Sequence, residues 1–383
     1  MTEPHRIARR ARTAAAAALV TVLAVGTAAC SKSPEPSPVA SPVQPSSSSS
    51  KPSIDIADVQ KFLSEVPNWG ADDWKKWASQ NGFKPEDFEA IKHFWDQEKP
   101  AAPRGGTSVA PEKQAPSLQK VVFPPSIPAK AVPHPYSPDT ALLGRIILEN
   151  SEGEDHSCSG TVVADPKHPG KSNLVWTAAH CVHGGKGSDY DKHLVFLPGY
   201  NRSGASSHGK QPDDWQDIAP LGRWAAQNML VPPQWPREGL HVGNEASQFD
   251  FAIVRVAPLD DTRSLEEAVG GAIPILFNAK QSDITAPKAY GYPADSPFDG
   301  EELEHCDSNT ALVPFTFNPS RPPMLIMGCT MTGGSSGGGW LTKQNGRTVL
   351  FSNVSIGDPV GGWQAGPTLG PEAKNLFDAF IAD

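Results

Sequence analysis

Met331-Thr332-Gly333-Gly334-Ser335-Ser336-Gly337-Gly338-Gly339-Trp340 packs five glycines and two serines into one short run. Glycine lets a backbone turn tightly and bring its N–H groups close to a ligand. Such a loop can bare a hydroxyl and hold an oxyanion beside it. A phosphate-cradling loop wants a Lys-Ser/Thr ending and a helix behind it. Here Trp340-Leu341-Thr342 follows, which reads as a strand. Taken alone, the run fits a structural turn as well as a catalytic element, so its meaning depends on what lies around it.

Around it are short β-type runs separated by Gly, Asn, Asp and Pro. They include 144–148, 158–163, 174–177, 194–197 and 251–256, then 325–327, 349–351 and 353–356. Many short strands with frequent turns favour a sandwich or barrel over a parallel α/β sheet. Pro371 to Ile381 reads as a closing helix with Ala373, Leu376, Phe377 and Phe380 inward. No internal repeat is present.

Two further segments carry chemistry. Thr177-Ala178-Ala179-His180-Cys181 places a histidine directly after a β-run and beside a cysteine. By itself it reads equally as a core histidine. A zinc site pairing His180 with His183 or a cysteine is a weak reading, because exported cysteines are spent on disulfides. Gln248-Phe249-Asp250-Phe251-Ala252 places a carboxylate at the head of an apolar strand. Buried there, it needs a donor, and an imidazole N–H would supply one.

Together, these segments make residues 136–383 resemble the trypsin-like serine peptidases, especially the secreted bacterial members. The matching residues are Cys158-Ser159-Gly160-Thr161, Thr177 to Cys181, Asp250 to Val254, Ala289-Tyr290-Gly291-Tyr292-Pro293 and Gly334 to Gly338. The His, Asp, Ser order is the chymotrypsin order. The resemblance implies an all-β fold, a double six-stranded antiparallel β-barrel with a C-terminal helix. It implies Ser336 as nucleophile, His180 as general base and Asp250 as the group that orients the imidazole. The N–H groups of Gly334 and Ser336 would form the oxyanion hole. Val354, Ser355 and Gly357 would line the substrate strand, with Ser355 also supporting the aspartate, and Thr330 would stand in the specificity pocket. Polypeptide is the implied substrate, and no cofactor or metal is implied.

The chain also departs from the family pattern. Ser335 stands where animal members carry the acidic residue of their activation switch, so that switch is not expected. Thr330 replaces the aspartate of the trypsin branch, so cleavage after Lys or Arg is unsupported. Glutamate-cleaving relatives place a histidine where Val354 falls, and Gly339 replaces the more usual proline. The 70 positions from His180 to Asp250 are long for the family, and the excess is assigned to surface loops in the Gly/Pro/Trp-rich 199–247.

The N-terminal part has a different texture. Arg6, Arg9, Arg10 and Arg12 precede an apolar run from Ala14 to Ala29, which reads as a secretory signal. Thr27-Ala28-Ala29-Cys30 resembles a bacterial lipobox, so residues 1–30 read as a signal whose Cys30 takes a lipid. The expected location is therefore a bacterial cell surface or the secreted fraction, with membrane contact only through that anchor. Residues 31–53 are a Ser/Pro-rich tether, 54–99 a small three-helix segment holding four of the ten tryptophans, and 100–135 a second Pro-rich linker. The helical segment reads as a miniature core, with partner binding or a pro-region as the other possibility. If Cys30 is lipidated, Cys158, Cys181, Cys306 and Cys329 remain; three pairings are possible, and sequence order suggests Cys158–Cys181 and Cys306–Cys329. Each bridge would stabilise by about 3 kcal/mol on the loop-entropy account. The net charge of −9 disfavours nucleic acid as a partner. The competing function is a catalytically inactive, peptidase-like binding module that uses the helices to capture a partner.

Overall fold

The structure, a computed structural model, describes residues 56–83, 88–98, 105–106, 110–111, 121–150, 153–308, 310–358 and 361–382. The signal-like stretch, Cys30 and the 31–53 tether lie outside the described residues. Three helices come first: α1 (Ile56–Glu65), α2 (Ala71–Asn81) and α3 (Phe88–Gln97). Each presents an apolar stripe at helical spacing, and Leu63, Trp74, Trp77, Ile91 and Trp95 are buried. Ile56, the first residue of α1, is exposed. Before α2, the Gly70 N–H donates to the Asp73 carboxylate, which occupies one backbone donor at the helix start.

Two short strands follow, β1 (Gly105–Gly106) and β2 (Ala110–Pro111), then β3 (Lys130–Ala131). The first barrel uses β4 (Leu143–Glu149), β5 (Asp155–Val163), β6 (Leu174–Thr177) and β7 (Lys192–Pro198). After α4 (Trp215–Ile218) come β8 (Trp224–Leu230), α5 (Trp235–Glu238), β9 (Val242–Gly243) and β10 (Ala252–Pro258). The order β5-β4-β7-β8-β10-β6 closes because β6 also pairs with β5, and every pairing in this ring is antiparallel. Closure removes the edges that an open sheet would expose.

Beyond α6 (Leu265–Val269), the second half is built from β11 (Lys288–Gly291), β12 (Glu304–Asp307), β13 (Val313–Phe315) and β14 (Met324–Cys329). Then come β15 (Gly339–Gln344), β16 (Arg347–Asn353), β17 (Ile356–Gly357), β18 (Gly362–Pro367) and the closing helix α7 (Pro371–Phe380). They form antiparallel sheets in the orders β16-β15-β11-β12-β3 and β13-β14-β18-β17. This is the all-β double-barrel architecture that the resemblance implied. The disulfides are Cys158–Cys181 and Cys306–Cys329.

Two parts of the chain differ from the sequence expectation. The stretch 199–247 is not all surface loop, because β8 lies between β7 and β10 and both Trp224 and Trp235 are buried. Nor is 121–132 a free linker. Thr330 N–H donates to Ile127 O, Val132 N–H donates to Leu303 O, and β3 pairs with β12. Phe123 also stacks on Trp363. An extended, Pro-rich strand still carries carbonyls and some N–H groups, and a sheet edge is where they find partners.

The tryptophan-rich helices lie against the first barrel and α7. The Trp77 indole donates to Val231 O at 3.0 Å, and the Trp95 indole to His193 O at 2.7 Å. Arg223 donates to Trp95 O and to the carboxylates of Asp96 and Asp260. The face expected to meet a partner is therefore largely used within the chain.

Candidate active site

His180 is fixed by what surrounds its turn. β6 ends at Thr177, whose hydroxyl donates to Ser159 O, and a single tight turn, Ala179–Cys181, follows. The Cys181–Cys158 bridge ties that turn to β5. Asp250 lies at the entry to β10 and is fully buried. Its carboxylate accepts from the His180 backbone N–H at 2.9 Å and from the Ser355 hydroxyl at 2.6 Å, and its Oδ2 is 2.7 Å from His180 Nδ1. A buried carboxylate that accepts only requires Nδ1 to donate, which leaves Nε2 as the ring's acceptor. Among the described residues, Nε2 has no hydrogen-bond partner.

The glycine-rich loop joins β14 to β15 and is stitched to both barrels. Ser159 N–H donates to Ser336 O at 2.7 Å, and the Ser159 hydroxyl donates to Gly334 O at 2.9 Å. Gly337 N–H donates to Val354 O, and Val354 N–H donates to Gly338 O. Gly334 has φ +94°, and a Cβ there would fall 2.6 Å from Tyr292 O, so only glycine fits this turn. A Cβ at Gly337 would fall 2.0 Å from Thr177 Oγ1, which shows how tightly the loop meets the strand that carries His180. Of the two adjacent serines, Ser335 is committed inward: its hydroxyl donates to Thr332 O and accepts from Gln364 Nε2.

A cleft lies between 331–336 on one side and 354–358 on the other, with Gln364 in its lining. Val354 and Gly357 line it, whereas the Ser355 hydroxyl is spent on Asp250. Thr330 is not among the lining residues, and its hydroxyl accepts the Ala129 N–H at 2.8 Å. The side chain that sequence reasoning missed is Gln364. Its amide donates to Met331 O and Ser335 Oγ, which fixes its orientation and leaves a buried Oε1 without a partner among the described residues. Its signal in the sequence was a polar residue between Trp363 and Ala365 in a strand register.

Cys158 and Cys181 are the sulfurs nearest His180, and they are bonded to each other, so no thiolate is offered to a metal there. His183 is turned elsewhere. Its Nδ1 accepts the Gly185 N–H, and burial lowers its pKa to about 4.

No protein-family model matches the sequence, and no curated protein matches it either. Solved structures do. The protease Anisep from Arthrobacter nicotinovorans is 26% identical with a TM-score of 0.52, over 67% of this chain and 100% of that one. The thermostable serine protease AL20 from an extremophilic microorganism is 27% identical with a TM-score of 0.50, over 64% of this chain and 100% of that one. The chain is thus similar in fold to bacterial trypsin-like serine proteases. In this chain the site is closed: the His180 side chain and Ser336 are each 4% exposed, and the cleft holds only about 20 Å³ of free space.

Proposed function

We propose that the protein is an exported serine endopeptidase that cleaves peptide bonds through an acyl-enzyme at Ser336. The observation that carries this reading is the hydrogen-bonded chain Ser355–Asp250–His180 beside the Ser336 loop. Ser336 Oγ attacks the scissile carbonyl carbon while its proton passes to His180 Nε2. Asp250 keeps Nδ1 protonated and stabilises the imidazolium. The N–H groups of Gly334 and Ser336 receive the oxyanion, where one donor is worth about 3–4 kcal/mol in the transition state. Collapse breaks the C–N bond as the imidazolium protonates the leaving amine. Water, deprotonated by His180, then releases the acid and restores Ser336.

The edge strand β17 pairs only with β18 among the described residues, so its other side is the edge to which an extended peptide would add. Gln364 Oε1 and the Asp358 carboxylate make the cleft rich in acceptors, which favours substrate side chains that donate hydrogen bonds. Export with a lipid on Cys30 completes the reading; it is supported by the charged and apolar N-terminal run and by two disulfides. Labelling with a fatty-acid analogue should be lost in Cys30→Ser.

The deciding test is prolonged reaction with a fluorophosphonate probe, read by intact mass. One adduct is expected, mapping to Ser336 and absent from Ser336→Ala and His180→Ala. An adduct elsewhere would sink this assignment.

A further inference from the structure

We propose that the short strands β1 and β2 lie along the substrate cleft of their own chain and keep the protein latent, an inference that rests on the catalytic reading above. Three walls of the cleft meet these strands. β1 lies alongside β5 in parallel register, Gly105 opposite His156 and Gly106 opposite Ser157, directly before the cysteine that is bridged to the His180 turn. Gly106 also backs onto the nucleophile loop: a Cβ there would fall 2.2 Å from the Gly333 carbonyl carbon and 2.4 Å from Gly334 N. That is the peptide whose N–H would receive the oxyanion, and only a glycine can come so close. Further on, β2 pairs with β9, Ala110 opposite Val242 and Pro111 opposite Gly243, and packs against β17, the edge an extended substrate would need.

The near-complete burial of Ser336 and of the His180 side chain follows from this arrangement. A scissile carbonyl cannot reach the hydroxyl while Gly106 lies against Gly333 and Gly334. The segment is held from both sides, by α3 docked on the first barrel and by 121–132 built into the second. Such tethering gives an effective concentration on the order of millimolar, so a weakly bound segment suppresses substrate binding without high intrinsic affinity. Gly106 N–H donates to the exposed Asp295 carboxylate at a long 3.4 Å, and a glycine strand gives up much conformational freedom on ordering. The chain in this arrangement is a latent form.

The test compares initial rates of fluorophosphonate labelling at Ser336 in the full chain. Gly106→Val cannot fit against Gly333 and should label about 10-fold or more faster than wild type, with Gly106→Ala between them. Asp295→Ala, which removes an exposed acceptor, should give a smaller increase and guards against misfolding of the valine variant. Equal, rapid labelling of all forms would overturn latency and leave the peptidase reading standing. No labelling of any form would overturn the peptidase reading instead. In that case, amide exchange over 105–111 still decides the occupancy. Slow exchange in wild type and fast exchange in Gly106→Val supports it, and fast exchange in both removes it.

Discussion

Helix α3 and strand β1 are close in sequence and hold the barrels by opposite means. α3 inserts Trp95, buried and hydrogen-bonded to His193 O, and offers its end to Arg223. β1 brings two glycines and makes contact by backbone alone. Truncating a buried tryptophan costs about 3–5 kcal/mol, whereas a backbone hydrogen bond contributes about 1 kcal/mol net. Area fixes a part that stays, and backbone pairing suits a part that leaves.

The sharpest break of this contrast is Trp95→Ala, which should cost about 3–5 kcal/mol in denaturant unfolding. A loss under about 1 kcal/mol would mean that the helices are not a firm anchor. Next is Gln364→Leu in a Gly106→Val background. It should lower kcat/KM about 10-fold for peptides whose residue before the cleaved bond carries a hydroxyl or amide, because the lost acceptor is specific to side chains. The ratio of labelling rates with and without the Gly106 change should not move, since the glycine strand has no side chain to read.

A smaller effect is expected where the helices meet α7. Glu372 faces a cavity of about 330 Å³ that Leu63 and Ser64 also line, and burial pushes its pKa up from 4.5 to about 7 despite the Gln234 hydrogen bond. The folded state then binds more protons than the unfolded one between those values. The stability from this group is therefore fully present below about pH 4.5 and lost as pH rises through about 7. Glu372→Gln should raise Tm by about 2 °C at pH 8 and change it little at pH 4.5. Smallest of all, Gly106→Val should shift Tm by less than about 1 °C while changing the labelling rate. A large drop would make β1 structural.

The sequence was most legible where side chains carry the pattern. The runs 144–148 and 158–163 lie within barrel strands, and 251–256 enters one from its second residue. The His180 and Asp250 segments could be read because burying a carboxylate demands a donor. Trp224–Leu230 was missed because Ala225, Ala226, Gln227 and Asn228 dilute its strand character between Pro-rich neighbours. The role assigned to Thr330 from the resemblance overlooked Ala129, two hundred residues away, whose N–H its hydroxyl accepts. Gly105–Gly106 could not be read at all, since complementarity between two backbones leaves no residue pattern.

Cys158 follows Ser157, the last partner of β1 on β5, and Cys181 follows His180. One covalent link thus joins the shelf under the glycine strand to the turn that bears the imidazole. Breaking this bond would loosen the shelf and the histidine turn together. Forming this one bond therefore fixes the shelf and the histidine turn in the same step.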